Sequence, residues 1–250
     1  MRIFLTLLRR ELGSLFLSIT GYVIVAAVTL IVGLTFVVLI NNLGTDPSPM
    51  PVTELFYRTY IFWLIVLLIT PLITMRLFAH EKFTGTFETL MTTPVSDLQV
   101  VSAKFAAALV FYMIAWLPVL ACLFIVRYYT SQPSALDAGT TGGIYLGIFF
   151  VGCLFISMGC FTSSLTRSQM AAAMVSFVLG MILFLLALWA DSITTPSNHL
   201  QHVLYYFKLF DQVHDFARGM VDTRSVIFYT SLTFFFLFLT LRVVESRRWK

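Results

Sequence analysis

The sequence predicts an all-α integral membrane protein with six transmembrane helices, an N-terminal interfacial helix and shorter helices on both sides of the bilayer. Three observations carry this. Of 250 residues, 59% are hydrophobic and only 11% charged, well short of the roughly one quarter typical of soluble domains. The apolar residues come in solid blocks of roughly 20, the length that crosses a hydrocarbon core of about 30 Å. The blocks show no alternation, so they read as helices, which satisfy their own backbone in lipid, and not as barrel strands. No stretch is long and polar enough for a separate soluble domain, so residues 1–250 read as one transmembrane domain.

The elements follow in order. Residues 1–13 carry Arg2, Thr6, Arg9 and Gly13 in a narrow polar stripe beside Ile3, Phe4, Leu7 and Leu8. That pattern suits a helix in the headgroup layer; a plain extension of the first span is the simpler alternative. Spans fall near 18–40, 57–79, 100–127, 142–165, 169–190 and 225–244. The apolar run Ile19 to Ile40 is too long for a signal-peptide core, and no small-residue cleavage site precedes Asn41-Asn42, so it reads as a retained first span. Pro47, Pro49 and Pro51 forbid a helix in the first outer loop. Pro71 and Pro118 each remove a hydrogen bond inside a span and invite a bend. Gly139, Gly143 and Gly147 lead into the fourth span at four-residue spacing, which suits close packing. The segment 191–224 is too charged to span. Within it, Lys208, Asp211, Asp215 and Arg218 recur at helical spacing opposite Leu200, Val203, Leu204 and Phe207, predicting an amphipathic outer helix over 198–219 capped by Gly219.

Charge sets the expected orientation. With both termini inside, the inner segments hold Arg2, Arg9, Arg10, Arg76, Lys82, Lys104, Arg167, Arg242, Arg247, Arg248 and Lys250. The outer ones hold only Arg58, Arg127, Lys208, Arg218 and Arg224. The positive-inside rule therefore predicts cytoplasmic termini, consistent with an even number of spans. The pI of 9.1 reflects this bias and does not point to nucleic acid. Cys122, Cys153 and Cys160 all lie in apolar blocks and read as small core hydrophobes. His199 and His202, near His214, Asp211 and Asp215, read as polar-face residues; a metal site there is the sharper alternative.

The most informative stretch is the inner loop from Met75 to Lys104. Gly85 breaks the chain after the second span. Thr86 caps a short helix whose first turn holds Glu88. Phe87, Leu90 and Met91 share one apolar face, and Pro94 stops the helix. Ser96 and Gln99 then form a capping box for the next helix. A short amphipathic helix thus hangs between two spans, with its apolar face turned to a partner or to the membrane surface.

This loop resembles the coupling region of type-2 ABC exporter permeases. Glu81-Lys82, Gly85-Thr86, Glu88, Leu90, Pro94 and Lys104 match that pattern; His80 departs from it, standing where relatives often carry a second acidic residue. The stretches Asp211 to Arg224, Ser231 to Thr240, Glu245 to Lys250 and the inner turn Ser164 to Gln169 resemble gliding-motility-associated (GldF-like) permeases. The resemblance implies that Glu81, Lys82, Gly85, Thr86, Phe87, Glu88, Leu90, Met91 and Pro94 form a cytoplasmic ATPase-coupling segment, with Thr84 to Thr93 as its helix. It also implies that Lys208, Asp211, Asp215 and Arg218 form a periplasmic gate or partner contact.

The partners it implies are an ABC ATP-binding subunit, a second permease subunit (identical or related), membrane lipids and a companion with a large periplasmic region. The expected location is a bacterial inner membrane. The chain carries no phosphate loop, so ATP and Mg would belong to the partner ATPase, with no cofactor here. No triad, metalloprotease helix or nucleophile elbow is present, which argues against an enzyme. Charges are nearly absent from the spans, which argues against an ion-coupled carrier. The alternative within the same architecture is a mechanical or scaffold component that passes ATP-driven motion to a periplasmic protein.

Overall fold

The computed structural model describes residues 2–45, 56–57, 59–87, 95–130, 138–192 and 206–248. The regular structure among these residues is all helical, with no strand. In order the helices are α1 (Arg2–Phe16), α2 (Ile19–Thr45), α3 (Tyr60–Thr74), α4 (Ala79–Thr84), α5 (Asp97–Ala115), α6 (Leu117–Thr130), α7 (Ala138–Leu165), α8 (Gln169–Asp191), α9 (Leu209–Ala217) and α10 (Thr223–Arg248). Among the described residues, six stretches are long and apolar enough to cross a membrane: 19–42, 60–84, 97–128, 139–165, 169–191 and 223–246. An even number puts both chain ends on one side, called here the near side. It also carries the segment between α3 and α5 and the turn between α7 and α8.

Burial ranks the spans. In the fourth and second spans 72% and 67% of the most apolar window is buried, against 28%, 22% and 17% in the first, fifth and sixth. So α7 and α3 form the centre, and α2, α8 and α10 present apolar side chains outward, as helices in lipid do. An aromatic cluster fills the far half of the core. Phe62 lies 4.8 Å from the Tyr57 ring and 5.2 Å from the Trp116 ring, and Trp63 lies 5.1 Å from Phe210.

The two span prolines behave differently. Helix α3 runs through Pro71 without interruption. The third span breaks at Trp116, between α5 and α6, two residues before Pro118. Pro118 offers no N–H to the preceding turn, so the ladder fails there. The Tyr145 hydroxyl of α7 donates to the Trp116 carbonyl at 2.9 Å, bracing the break from a neighbouring helix.

The local signals for helix ends are in place. Ser96 Oγ accepts from the Gln99 N–H at 3.3 Å, and Gln99 Oε1 accepts from the Ser96 N–H at 3.4 Å, a complete capping box for α5. Gly219, at φ 77°, closes α9. The Met220 N–H reaches the Asp215 carbonyl at 2.9 Å and the Gly219 N–H reaches Phe216 at 3.0 Å, the paired bonds of a left-handed cap. Helix α9 buries Leu209, Val213, Phe216 and Ala217. The glycine stripe of α7 is its seat: a methyl at Gly143 would meet the Phe216 carbonyl oxygen at 2.4 Å, and one at Gly147 the Phe216 Cβ at 3.0 Å. Helix α9 begins at Leu209; residues 193–205, which hold the first part of the expected helix with Leu200, Val203, Leu204, His199 and His202, lie outside the described residues.

Helix α1 is a distinct element, separated from α2 by a turn at Leu17 and Ser18. It lies along α5. Glu11 meets Lys104, and one and a half turns on, the Phe16 and Phe111 rings meet at 5.0 Å. The third span, 97–128, has 32 residues. That is about 48 Å of helix against about 30 Å of hydrocarbon, so it is long enough to stand clear of the apolar layer. Helix α1 packs beside its near-side half.

Candidate functional site

The site is built around α4, the short helix at the near end of the second stretch. Its first backbone N–H groups have no partner within the helix. Ser163, at the near end of α7, supplies one: its Oγ accepts from the Phe78 and Ala79 N–H groups, each at 3.1 Å. Lys82 of α4 donates to the Ser164 carbonyl. The Gln169 amide, at the start of α8, donates to His80 Nδ1 at 2.8 Å. Arg76, in the turn before α4, donates to Thr20 Oγ1 of α2 at 2.6 Å. The segment is therefore fixed to three spans before it leaves the bundle.

A fourth attachment is ionic. Glu11 Oε1 receives Arg10 at 2.6 Å and Lys104 at 3.1 Å, and Glu81 Oε1 receives Arg10 at 3.0 Å and Lys104 at 2.9 Å. Two cations and two carboxylates thus close a ring across α1, α4 and α5. Side-chain exposure is 2% for Lys104, 8% for Glu11, 16% for Glu81 and 50% for Arg10. Burial alone would lower the Arg10 pKa, but the Glu11 hydrogen bond and the charges of Glu11 and Glu81 outweigh it and hold the guanidinium above its ordinary value. The Lys104 ammonium also stands 5.4 Å from the Phe78 ring centre.

The described coupling residues divide into three groups. Glu81 and Lys82 point inward and hold α4 in place. Gly85, at φ 75°, turns the chain in the left-handed region that only glycine enters at low cost. Thr84, Gly85 and Thr86 are exposed at this tip, where the Thr84 and Thr86 hydroxyls share a 2.9 Å hydrogen bond. Phe87 is 7% exposed, its ring under the Lys82 ammonium at 5.3 Å, whereas Phe83, which sequence reasoning passed over, is 76% exposed. Glu88, Leu90, Met91 and Pro94 lie outside the described residues.

On the far side, Lys208 and Asp211 form an ion pair at 3.4 Å. Asp215 is half-buried and Arg218 exposed at the cap. Burial first, then the nearby Asp211 charge, push the Asp215 carboxyl above its usual range, with His214 and Arg218 pulling the other way. No cluster of three metal-ligating side chains occurs among the described residues.

Arg10, Glu11 and Ser163 were missed from sequence. A usable signal existed for Glu11 and Lys104: each is an ionisable residue set among apolar neighbours, where a partner is needed.

Six apolar spans around one helical core define a multi-pass membrane protein. The chain belongs to the ABC-2 family of transporter proteins, whose family profile matches residues 5–244. Members of that family are membrane-spanning subunits of ABC transporters, usually without a catalytic site, and the family implies pairing with a separate ATP-binding subunit. No curated protein matches the chain.

Proposed function

We propose that this chain is the permease subunit of a type-2 ABC exporter, converting ATP hydrolysis by a separate subunit into export or conformational work across a bacterial inner membrane. The near side is then cytoplasmic. The observation that carries this reading is α4: a surface tip at Phe83 to Thr86 whose root is tied to α1, α2, α5, α7 and α8. A tip so rooted passes a push from a docked ATPase into the spans. Phe83 is the described aromatic available for docking; Phe87 supports the tip from beneath. Two permease subunits, alike or related as in gliding-motility-associated systems, would complete the pathway.

The test is a pull-down of tagged protein from native membranes in mild detergent, with Phe83→Arg alone and combined with Glu88→Arg and Leu90→Ala. An ATP-binding subunit should co-purify with the wild type and be lost from the folded variants. Recovery of no ATPase with the wild type would remove the reading.

A second reading, mechanical transmission to a periplasmic partner, draws support from the far side. There Tyr206, Met220 and Val221 are exposed beside the charged face of the firmly seated α9. ATPase stimulation by a periplasmic protein alone would favour it; stimulation by a small substrate would favour export.

A further inference from the structure

The ring of charges at the junction of α1, α4 and α5 does something the neutral contacts around α4 do not. Ser163, Gln169 and Thr20 hold α4 and its leading turn through hydrogen bonds to uncharged hydroxyl and amide groups, buried at Ser163, part-buried at Thr20 and exposed at Gln169. Each such bond contributes only modestly to the net balance. Lys104 is a different case. It is 2% exposed, and its described charged partners are Glu11 and Glu81. Moving α4 or α1 away from α5 would strand a buried charge, which is far more costly than losing an exposed pair. The junction of α4 with α1 and α5 is thus the one least able to open.

Its geometry is also economical. A single oxygen of each carboxylate is shared by both cations, so each element is bound twice. Lys104 comes from α5, Glu81 from α4, and Arg10 and Glu11 are consecutive on α1. Neither pair alone would join three elements. Lys104 is not needed to anchor its span at the interface, because its ammonium turns into the protein instead of snorkelling to water. A buried ionic cluster is also a poor route to stability, since well-packed apolar residues do as well. What the ring supplies beyond apolar packing is a fixed register of three elements.

We propose that Lys104 and Glu11 are positioning residues of the coupling apparatus. Through Glu81 and Arg10 they make α1, α4 and the near half of α5 a single body, so that motion imposed at the α4 tip is delivered to the third span and the N-terminal helix. This rests on α4 being the coupling segment. Glu81 is its transmission residue and Arg10, the half-exposed member, closes the ring from the solvent side.

The test uses the permease with its ATP-binding subunit, reconstituted in lipid nanodiscs, with Cys122, Cys153 and Cys160 replaced by serine. Spin labels at Thr6→Cys on α1 and Met220→Cys beyond α9 report the distance between the two sides, without nucleotide and with ATP plus vanadate. Wild type and Lys104→Arg should show a nucleotide-dependent shift in that distance. Lys104→Met and Glu11→Gln should keep the ATP-binding subunit and hydrolyse ATP, yet lose the shift.

A fourth variant, Arg10→Met/Glu11→Leu/Glu81→Leu/Lys104→Met, replaces the whole ring by apolar residues and keeps the test decisive if a single substitution fails to fold. If it folds, holds the ATPase and shows the wild-type shift, the ring is structural only and the proposal is overturned. If it folds and holds the ATPase but shows no shift, the proposal stands. If no ATP-binding subunit joins even the wild type, the coupling reading itself has failed, which is a distinct result.

Discussion

Lys104 is the residue on which the near-side architecture turns. Removing it by Lys104→Met leaves Glu11 and Glu81 facing each other in a mostly buried site with only Arg10 between them. Breaking a buried ionic set in this way costs about 3–5 kcal/mol, and thermal unfolding in detergent should show a loss of that order. Lys104→Arg should keep most of the stability. A second residue-scale expectation concerns Asp215 on the far side. Its carboxyl is raised in the folded state by burial and by Asp211, so the folded form binds the proton more tightly than the unfolded one. The group's contribution is therefore fully present below the ordinary carboxylate range, about pH 4, and falls as pH rises through the folded pKa. Protection of α9 from hydrogen exchange should decline over that rise, and Asp215→Asn should flatten the dependence. These pairings were hard to read from sequence. Glu81-Lys82 stood out through its motif, but Glu11 and Lys104 lie far apart in the chain, and only the tertiary placement of α1 along α5 brings them together.

Single elements are held by close contacts that can be tested one at a time. Helix α9 sits on the glycine stripe of α7, where a methyl at Gly143 would stand 2.4 Å from the Phe216 carbonyl oxygen. Gly143→Ala should therefore displace α9, at about 1–3 kcal/mol for overpacking, and speed hydrogen exchange over 209–217 while α5 is unaffected. Gly142, with nothing within 4 Å of an added methyl, is the control, and Gly142→Ala should leave the exchange rates alone. The spans and their caps were legible because their causes are local. A block of roughly 20 apolar residues crosses the bilayer wherever it occurs, and Ser96-Gln99, Gly85 and Gly219 act within a few residues of themselves. The break at Trp116 was half legible: Pro118 announces a weakened ladder, but so does Pro71, whose helix continues. The direction of α1 was not legible, since an amphipathic stripe states that a face is packed without naming the helix it packs against.

At the scale of the molecule, the division between a buried pair of spans and an exposed rim decides what can move. The α3–α7 seam is the fixed part, because it joins the two most buried spans and they approach closely at Gly159. At Gly159 an added methyl would stand 2.1 Å from Thr74 Oγ1 and 2.6 Å from Thr74 Cβ. Thr74 has little room to yield: it is fully buried, and its hydroxyl is committed to the Thr70 carbonyl at 2.8 Å. The same seam ends at Ser163, which holds α4, so a shift of α7 against α3 would carry the near-side tip with it. Gly159→Val should therefore act on the whole domain. It should lower thermal stability by about 1–3 kcal/mol or more and loosen α4, seen as faster exchange at the Phe78 and Ala79 amides. Gly33→Val, on the exposed first span where nothing lies within 4 Å, should change neither reading. If both valine variants behave alike, the seam is not the rigid centre, and the force path from α4 must run through α1 and α5 alone.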